Sequence, residues 1–332
     1  MTASRYDVVA IGNAIVDIIG RCDDEFLKRH DAPKGHMRLV DAATVDKLYS
    51  EMGPAIEISG GSAANTMVGL SSFGGRAAFI GKVADDEFGR IFRHDVTAAG
   101  VAFPTAPVAG RAPTSRSLIL VTPDGERTLS TYLGISTELD NGEVDPATIE
   151  AAEIVYLEGY LFDQPQAKAA FREAAAIARR AGRKVALTLS DSFCVDRHRD
   201  EFLDLLRSSI DILFANETEI TALYQTSDFD VAARQAAADA PLAVLTRSAR
   251  GSVIFQGAHS VTIAAEPVDQ VIDTTGAGDL YAAGFLFGLA RSGDLTTAGR
   301  LASLAASEII SHIGARPETN LGQLAKSRGM LD

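Results

Sequence analysis

From residue 154 onward the chain alternates short apolar runs with longer amphipathic ones, and few architectures tolerate that rhythm. Residues 154–157, 184–189, 210–214, 242–245 and 252–255 read as strands. Residues 165–181, 197–206, 217–223 and 231–238 read as the helices between or beside them, and 277–291 and 295–312 as two long closing helices. Strands separated by helices pair in parallel, and the helices must cover both faces of the sheet. The expectation is an α/β chain with a Rossmann-like, mostly parallel central sheet. The first half is more mixed. Strands are expected at 5–11 and 77–80, an extended stretch at 13–19, and helices at 23–30, 42–52, 63–73 and 87–99. Residues 117–121 and 128–132 flank Pro123-Asp124-Gly125, a turn sequence that predicts a hairpin. Residues 17–58 carry more strand than helix, with a further strand at 36–40. The expected organisation is therefore one domain over 1–332, with a small β lid built from segments within about 13–60 and 105–135.

Charge and composition narrow the function. The chain has 31 Lys and Arg against 44 Asp and Glu, a formal net charge of −13. Such a surface repels a phosphate backbone, so nucleic acid is not an expected partner. No run of 18 apolar residues occurs, so no membrane span is expected. The start, MTASRYDVVAIG, has no basic stretch followed by an apolar one, which points to a cytoplasmic chain. Cys22 and Cys194 are read as free, reduced thiols.

The strongest chemical signal is Asp273-Thr274-Thr275-Gly276-Ala277-Gly278-Asp279, which runs straight into the apolar stretch LYAAGFLFGL. Glycines let the backbone approach a ligand, and the helix behind presents free N–H groups and a positive dipole end to an anion. Asp279 opposes that anion unless it has work there. Either it takes a proton from an attacking alcohol while the N–H groups hold a phosphoryl group, or it merely caps the helix. Gly60-Gly61-Ser62-Ala63-Ala64-Asn65 opens a second helix, where Asn65 offers an amide one turn in; tight helix packing explains the glycines equally well. Asn216 and Glu219 follow the run IDILFA, at a strand's carboxyl end where α/β sheets gather ligands. They suit Mg²⁺ held through water, or an ordinary helix N-terminus. Asp17 lies inside the apolar AIVDII, where a carboxylate needs sugar hydroxyls or an arginine as partner.

Several look-alikes fail. Gly81-Lys82 is followed by valine, so there is no Walker A loop. His198-Arg199-Asp200 lacks the asparagine a protein kinase needs, because position 205 is leucine. The first strand ends Gly12-Asn13-Ala14 rather than in GxGxxG, which argues against a dehydrogenase.

Taken in order, these motifs resemble the ribokinase-like (PfkB) family of sugar and nucleoside kinases, from Tyr6 to about Pro317. That resemblance implies an ATP- and Mg²⁺-dependent phosphotransferase with Asp279 as base and the backbone of Gly276, Ala277 and Gly278 as anion hole. Asp17, Gly60, Gly61 and Asn65 would hold the acceptor, and Asn216 and Glu219 would organise Mg²⁺ and the phosphates. Thr246 and Gly251 match the nucleotide-contacting strand end; Ala306, Ile310 and Gly314 match the wall of the ATP-base pocket. Asp273 and Thr275 fall where some members bind a monovalent cation, K⁺. The blocks GNAIVDII, SIDILFANETE and LTLSDSF look like those of the adenosine kinases, and by that likeness Phe193 lies near the nucleoside, Leu39 over its base and Arg127 beside the phosphates. Met37 and Glu158 depart from that branch: Glu158 stands where a small residue is common and is read as a binder of a sugar hydroxyl, with Tyr160 beside it as a stacking or pocket-lining ring. The implied partners are ATP and a nucleoside, adenosine, with free sugars (ribose, fructose, 2-keto-3-deoxygluconate) and other nucleosides as the alternatives; monomer and homodimer both stay open.

Overall fold

The computed structural model describes residues 4–331. Along the chain, β1 (Tyr6–Ile11) leads through β2 (Ile15–Arg21), α1 (Asp24–Arg29), β3 (Met37–Leu39) and α2 (Ala42–Glu51) to β4 (Ala55–Gly60). There follow α3 (Ser62–Ser72), β5 (Ala77–Ile80), α4 (Glu87–Ala98) and the hairpin β6 (Ser115–Val121) and β7 (Arg127–Tyr132). After α5 (Pro146–Glu150) the strict alternation begins: β8 (Ala152–Glu158), α6 (Pro165–Arg180), β9 (Lys184–Thr188), α7 (Ser192–Ser209), β10 (Ile212–Asn216), α8 (Glu217–Leu223), α9 (Phe229–Asp239) and β11 (Leu242–Thr246). The chain ends with β12 (Ser252–Gln256), β13 (His259–Ile263), α10 (Ala277–Ser292), α11 (Leu295–Ile309) and α12 (Leu321–Ser327).

These strands form two sheets. The larger has eight, ordered β13-β12-β11-β10-β9-β8-β1-β5. From β11 to β5 every pairing is parallel, and only β12 and β13 run antiparallel at one edge. Helices cover both faces, each over its own apolar cluster, one including Val8, Tyr156 and Phe285 and the other Val9, Leu157 and Phe202. The smaller sheet has five strands, ordered β3-β7-β6-β2-β4. It draws only on residues 15–60 and 115–132. Its edge strands expose Met37, Leu39 and Ile56. Among the described residues no helix is long and apolar enough to cross a membrane.

The helix starts are chemically uneven. Nine helices open on an Asp or Asn whose side chain accepts from the first-turn N–H groups. Helix α6 opens on Pro165, which removes one such donor. Helices α3 and α10 do neither. Each opens on a glycine, Gly61 and Gly276, with positive φ and no side-chain cap. In α3 the Ala63 N–H donates instead to the distant Glu158 side chain, and in α10 the Ala277 N–H donates to Thr274 O.

Some bounds differ from expectation for physical reasons. Helix α7 begins at Ser192 rather than 197, because Asp191 caps it through Phe193 N–H and Cys194 N–H and a kink at His198 splits its pattern. The edge strand β13 and the short α5 and α12 have no counterpart in the sequence pattern; β13 is largely exposed and so lacks the apolar signature of its neighbours. Helices α10 and α11 lie in close contact: a Cβ on Gly284 would meet Leu301 O at 2.5 Å, and one on Gly288 would meet Ala298 Cα at 2.6 Å. Gly284→Val should therefore force the two helices apart and cost about 1–3 kcal/mol, read by urea unfolding against wild type; an unchanged midpoint would mean the interface yields freely.

Candidate active site

Helices α3 and α10 meet at one carboxylate. Asp279, in the first turn of α10, accepts from Ser62 Oγ at 2.6 Å through Oδ1 and from Asn65 Nδ2 at 3.0 Å through Oδ2. None of its hydrogen bonds goes to its own helix, so the capping reading does not apply. Burial raises the carboxyl above the usual aspartate range, while the Ser62 and Asn65 hydrogen bonds and the charge of Arg316 pull it back. Gly276, Ala277 and Gly278 form the start of the same helix, the end at which its dipole is positive. A Cβ on Gly278 would meet nothing within 4 Å, so space remains in front of the loop. The amide of Asn65 is thus committed to Asp279, but its Oδ1 is buried with no partner.

Asp17, on β2 of the smaller sheet, faces the same place. Its carboxylate has no hydrogen-bond or ion-pair partner among the described residues, and burial lifts it to about 7, with the Asp279 charge adding to the rise and Arg316 and Arg127 opposing it. The glycines of the second motif serve this geometry. A Cβ on Gly60 would lie 2.3 Å from Asp17 Oδ2, and one on Gly61, whose φ is 94°, would lie 2.2 Å from Asn13 O.

Glu158 departs from expectation. It is 1% exposed, and its oxygens accept from Asn13 N–H (3.2 Å), Asn13 Nδ2 (2.7 Å) and Ala63 N–H (2.8 Å). It ties the β1–β2 connection to the start of α3. Burial lifts it to about 7 against the pull of those donors. Tyr160, just beyond it, is 42% exposed; burial of its hydroxyl end and the charges of Asp191, Asp279 and Glu219 push the phenol upward.

The phosphate-side calls also change. Asn216 and Glu219 form a capping box on α8: Asn216 Oδ1 accepts from Glu219 N–H at 2.9 Å, and Glu219 Oε2 from Asn216 N–H at 3.0 Å. Asn216 Nδ2 donates to Glu219 Oε1 at 2.6 Å, and burial raises that carboxyl to about 7. Among the described residues no cluster of His, Cys, Asp or Glu could hold a metal by itself. Asp273 and Thr275 both meet an arginine. Arg127, reaching from β7, places Nη1 2.5 Å from Asp273 Oδ2 and 2.8 Å from Thr275 Oγ1. Thr275 N–H, Thr275 Oγ1 and Gly314 N–H take the remaining acceptor positions of Asp273, at 3.0, 2.7 and 2.9 Å. A guanidinium already supplies the positive charge, and its Nη2 is buried without a partner.

Thr246 ends β11 in register with Asn216 on β10, so both stand at the carboxyl edge of the sheet. Gly251 answers to packing: its φ is 77°, and a Cβ would come within 2.0 Å of Ile263 O. Ala306 and Ile310 lie partly buried along α11 and its end, and Ile310 O accepts from Ile272 N–H at 2.8 Å, which hangs the anion loop on that helix. Leu39 and Phe193 are 59% and 71% exposed. Among the described residues no ring contact joins Phe193 to Tyr160.

Two contributors escaped the sequence reading. Ser62 lay inside a motif read only for its glycines and Asn65, yet positions three apart share a helix face. Arg316 stood in the stretch read for the ATP-base wall, two residues past Gly314, but was not itself singled out. It is half-buried, donates to Ser59 O (2.9 Å from Nε) and Ala64 O (3.0 Å), and faces Asp95, Asp17 and Asp279; burial lowers it to about 10.

The carboxylate before a glycine-rich helix start, with an unpaired carboxylate opposite, belongs to a chain whose likeness to known kinases makes it a phosphotransferase that acts on an alcohol. Residues 55–320 match the pfkB family of carbohydrate kinases, and the chain belongs to that family. It is 53% identical to a solved adenosine kinase from Sinorhizobium meliloti, over 98% of this chain and 100% of that one, with a TM-score of 0.91. It is 49% identical to a probable sugar kinase from Rhizobium etli CFN 42, over 99% and 100%, with a TM-score of 0.92. An ATP-dependent ribose-1-phosphate kinase of Halopiger xanaduensis is 31% identical over 85% of this chain and 92% of its own length.

The Glu158 clamp carries a pH signature. Its folded value lies above the unfolded one, so its stabilising contribution is complete at low pH and is lost between about pH 4.5 and 7, where the unfolded chain ionises first. Glu158→Gln cannot titrate. The stability of wild type relative to this variant should fall across that window by on the order of 3 kcal/mol, followed by urea unfolding at several pH values; a constant difference would contradict the buried, titrating carboxyl.

Proposed function

We propose that this kinase transfers the γ-phosphoryl group of ATP to the primary hydroxyl of a nucleoside, adenosine, giving AMP and ADP. The observation that carries the chemistry is the Asp279 carboxylate, held by side chains of another helix at the glycine-rich start of its own. A base so placed takes the proton of an alcohol as it attacks, and the N–H groups of Gly276, Ala277 and Gly278 receive the charge of the transferring group. The unpaired carboxylate of Asp17 and the unpaired Oδ1 of Asn65 are acceptors, as ribose hydroxyls require. The buried, unpartnered Nη2 of Arg127 suits a phosphate oxygen. ATP supplies the phosphoryl group, and Mg²⁺ neutralises its phosphates. Asn216 and Glu219, which bond to each other, would hold Mg²⁺ through water, and the ion would arrive with the nucleotide. The five-stranded sheet acts as a lid that excludes water. Adenosine as the acceptor is supported by the likeness to the Sinorhizobium meliloti enzyme. The second reading, a sugar or sugar phosphate, is supported by the Rhizobium etli and Halopiger xanaduensis relatives.

Asp279→Asn should retain ATP binding in calorimetry and lose about 10²–10⁴-fold in turnover; near-normal turnover would remove the base. ATP consumption with adenosine, inosine, guanosine, ribose, fructose and 2-keto-3-deoxygluconate at equal concentration decides the acceptor. Selective turnover of adenosine is expected. Turnover of a free sugar with none of the nucleosides would replace adenosine with that sugar.

A further inference from the structure

We infer that Ser62 is a positioning residue for phosphoryl transfer: its hydroxyl, donated to Asp279 Oδ1, fixes the orientation of the base and directs a free lone pair at the acceptor hydroxyl. The inference rests on Asp279 being the base, as proposed above. Ser62 is the first residue of α3 and Asn65 lies three further on, so both side chains project from one face of that helix. Together they give each carboxylate oxygen of Asp279 one donor, at 2.6 and 3.0 Å. Each oxygen then keeps one acceptor position. With only the Asn65 bond, the carboxylate could turn about its last torsion and lose that alignment. The two groups are 217 residues apart in sequence, so their meeting is a product of the tertiary fold. Gly61, with φ of 94° and no room for a Cβ, sets the entry of the chain that brings Ser62 there.

The surroundings make this donor count. Asp279 is faced by Arg316 from the segment after α11, by Asp17 from β2, by Glu158 and Tyr156 from β8, by Tyr160 just beyond β8, and by Glu219 from α8. Three of these are carboxylates, and one, Arg316, is cationic. The Ser62 bond is the first-ranked influence favouring the ionised form of Asp279 against its burial.

The test compares wild type, Ser62→Ala and Ser62→Thr. The carboxyl titration of Asp279 is followed by carbon NMR, and kcat and KM are followed against pH with ATP and the best acceptor. In Ser62→Ala the Asp279 midpoint and the acidic limb of kcat should both move up by about one pH unit, from the usual size of a hydrogen bond to a charged group. The acceptor KM should change little, and Ser62→Thr, which keeps the hydroxyl, should restore both. An unmoved midpoint and limb in Ser62→Ala, with only a lower melting temperature, would overturn the inference. Should the alanine variant not fold, Ser62→Cys, with a weaker donor, must show a smaller shift of the same sign, and no shift there would equally overturn it. The NMR arm needs no turnover. A wild-type chain inactive on every acceptor would defeat the proposed function, while the titration would still decide for or against Ser62.

Discussion

The meeting of two helix N-termini around the Asp279 carboxylate is the contact on which the rest of this molecule turns. Burying a carboxylate costs several kcal/mol unless donors replace its water. Ser62, Asn65 and the charge of Arg316 make that replacement. Among the described residues the other helix starts have a capping side chain or a proline. These two open on glycines that offer no cap, and the side chains that meet there belong to Asp279, Ser62 and Asn65.

Around this centre the two sheets have separate tasks. The eight-stranded sheet supplies a rigid carboxyl edge, where Glu158, Asn216 and Thr246 end neighbouring or nearby strands. The five-stranded sheet brings Asp17 from β2 and Arg127 from β7. Arg127 joins it to the anion loop through Asp273 and Thr275, so the sheet and the loop are mechanically coupled. Glu158 performs the corresponding service on the other side, fastening the β1–β2 connection to α3.

Much of this was legible in the sequence, and the limits have physical causes. The parallel sheet was readable because strands buried on both faces leave unbroken apolar runs, as in 154–157 and 242–245. Strand β13 was not, because its face is mostly exposed. The Asp273–Asp279 loop and Gly60–Asn65 helix start were readable because glycine spacing is a local property. Their partners were not. Nothing local to Glu158 reveals that Asn13 and Ala63 will claim its oxygens, and nothing local to Asp273 reveals an arginine arriving from β7. Asn216 and Glu219 carried both readings at once, since a capping box and a metal-organising pair use the same residue types three positions apart.

The span of the Ser62–Asp279 bond has a consequence for how the chain is made. The acceptor side of the site is synthesised within the first 65 residues, whereas the base, the anion loop and Arg316 come in the last fifth. Strand β1 also cannot take its place until β8, over 140 residues later, lies beside it. Contacts of such separation form slowly. On a ribosome, the early segment, with Asp17 in an apolar strand and the exposed edges of β3 and β4, waits for the rest of the chain to emerge. Until those closing helices have emerged, the Ser62–Asp279 contact cannot form, and the exposed edges of the small sheet stand without it.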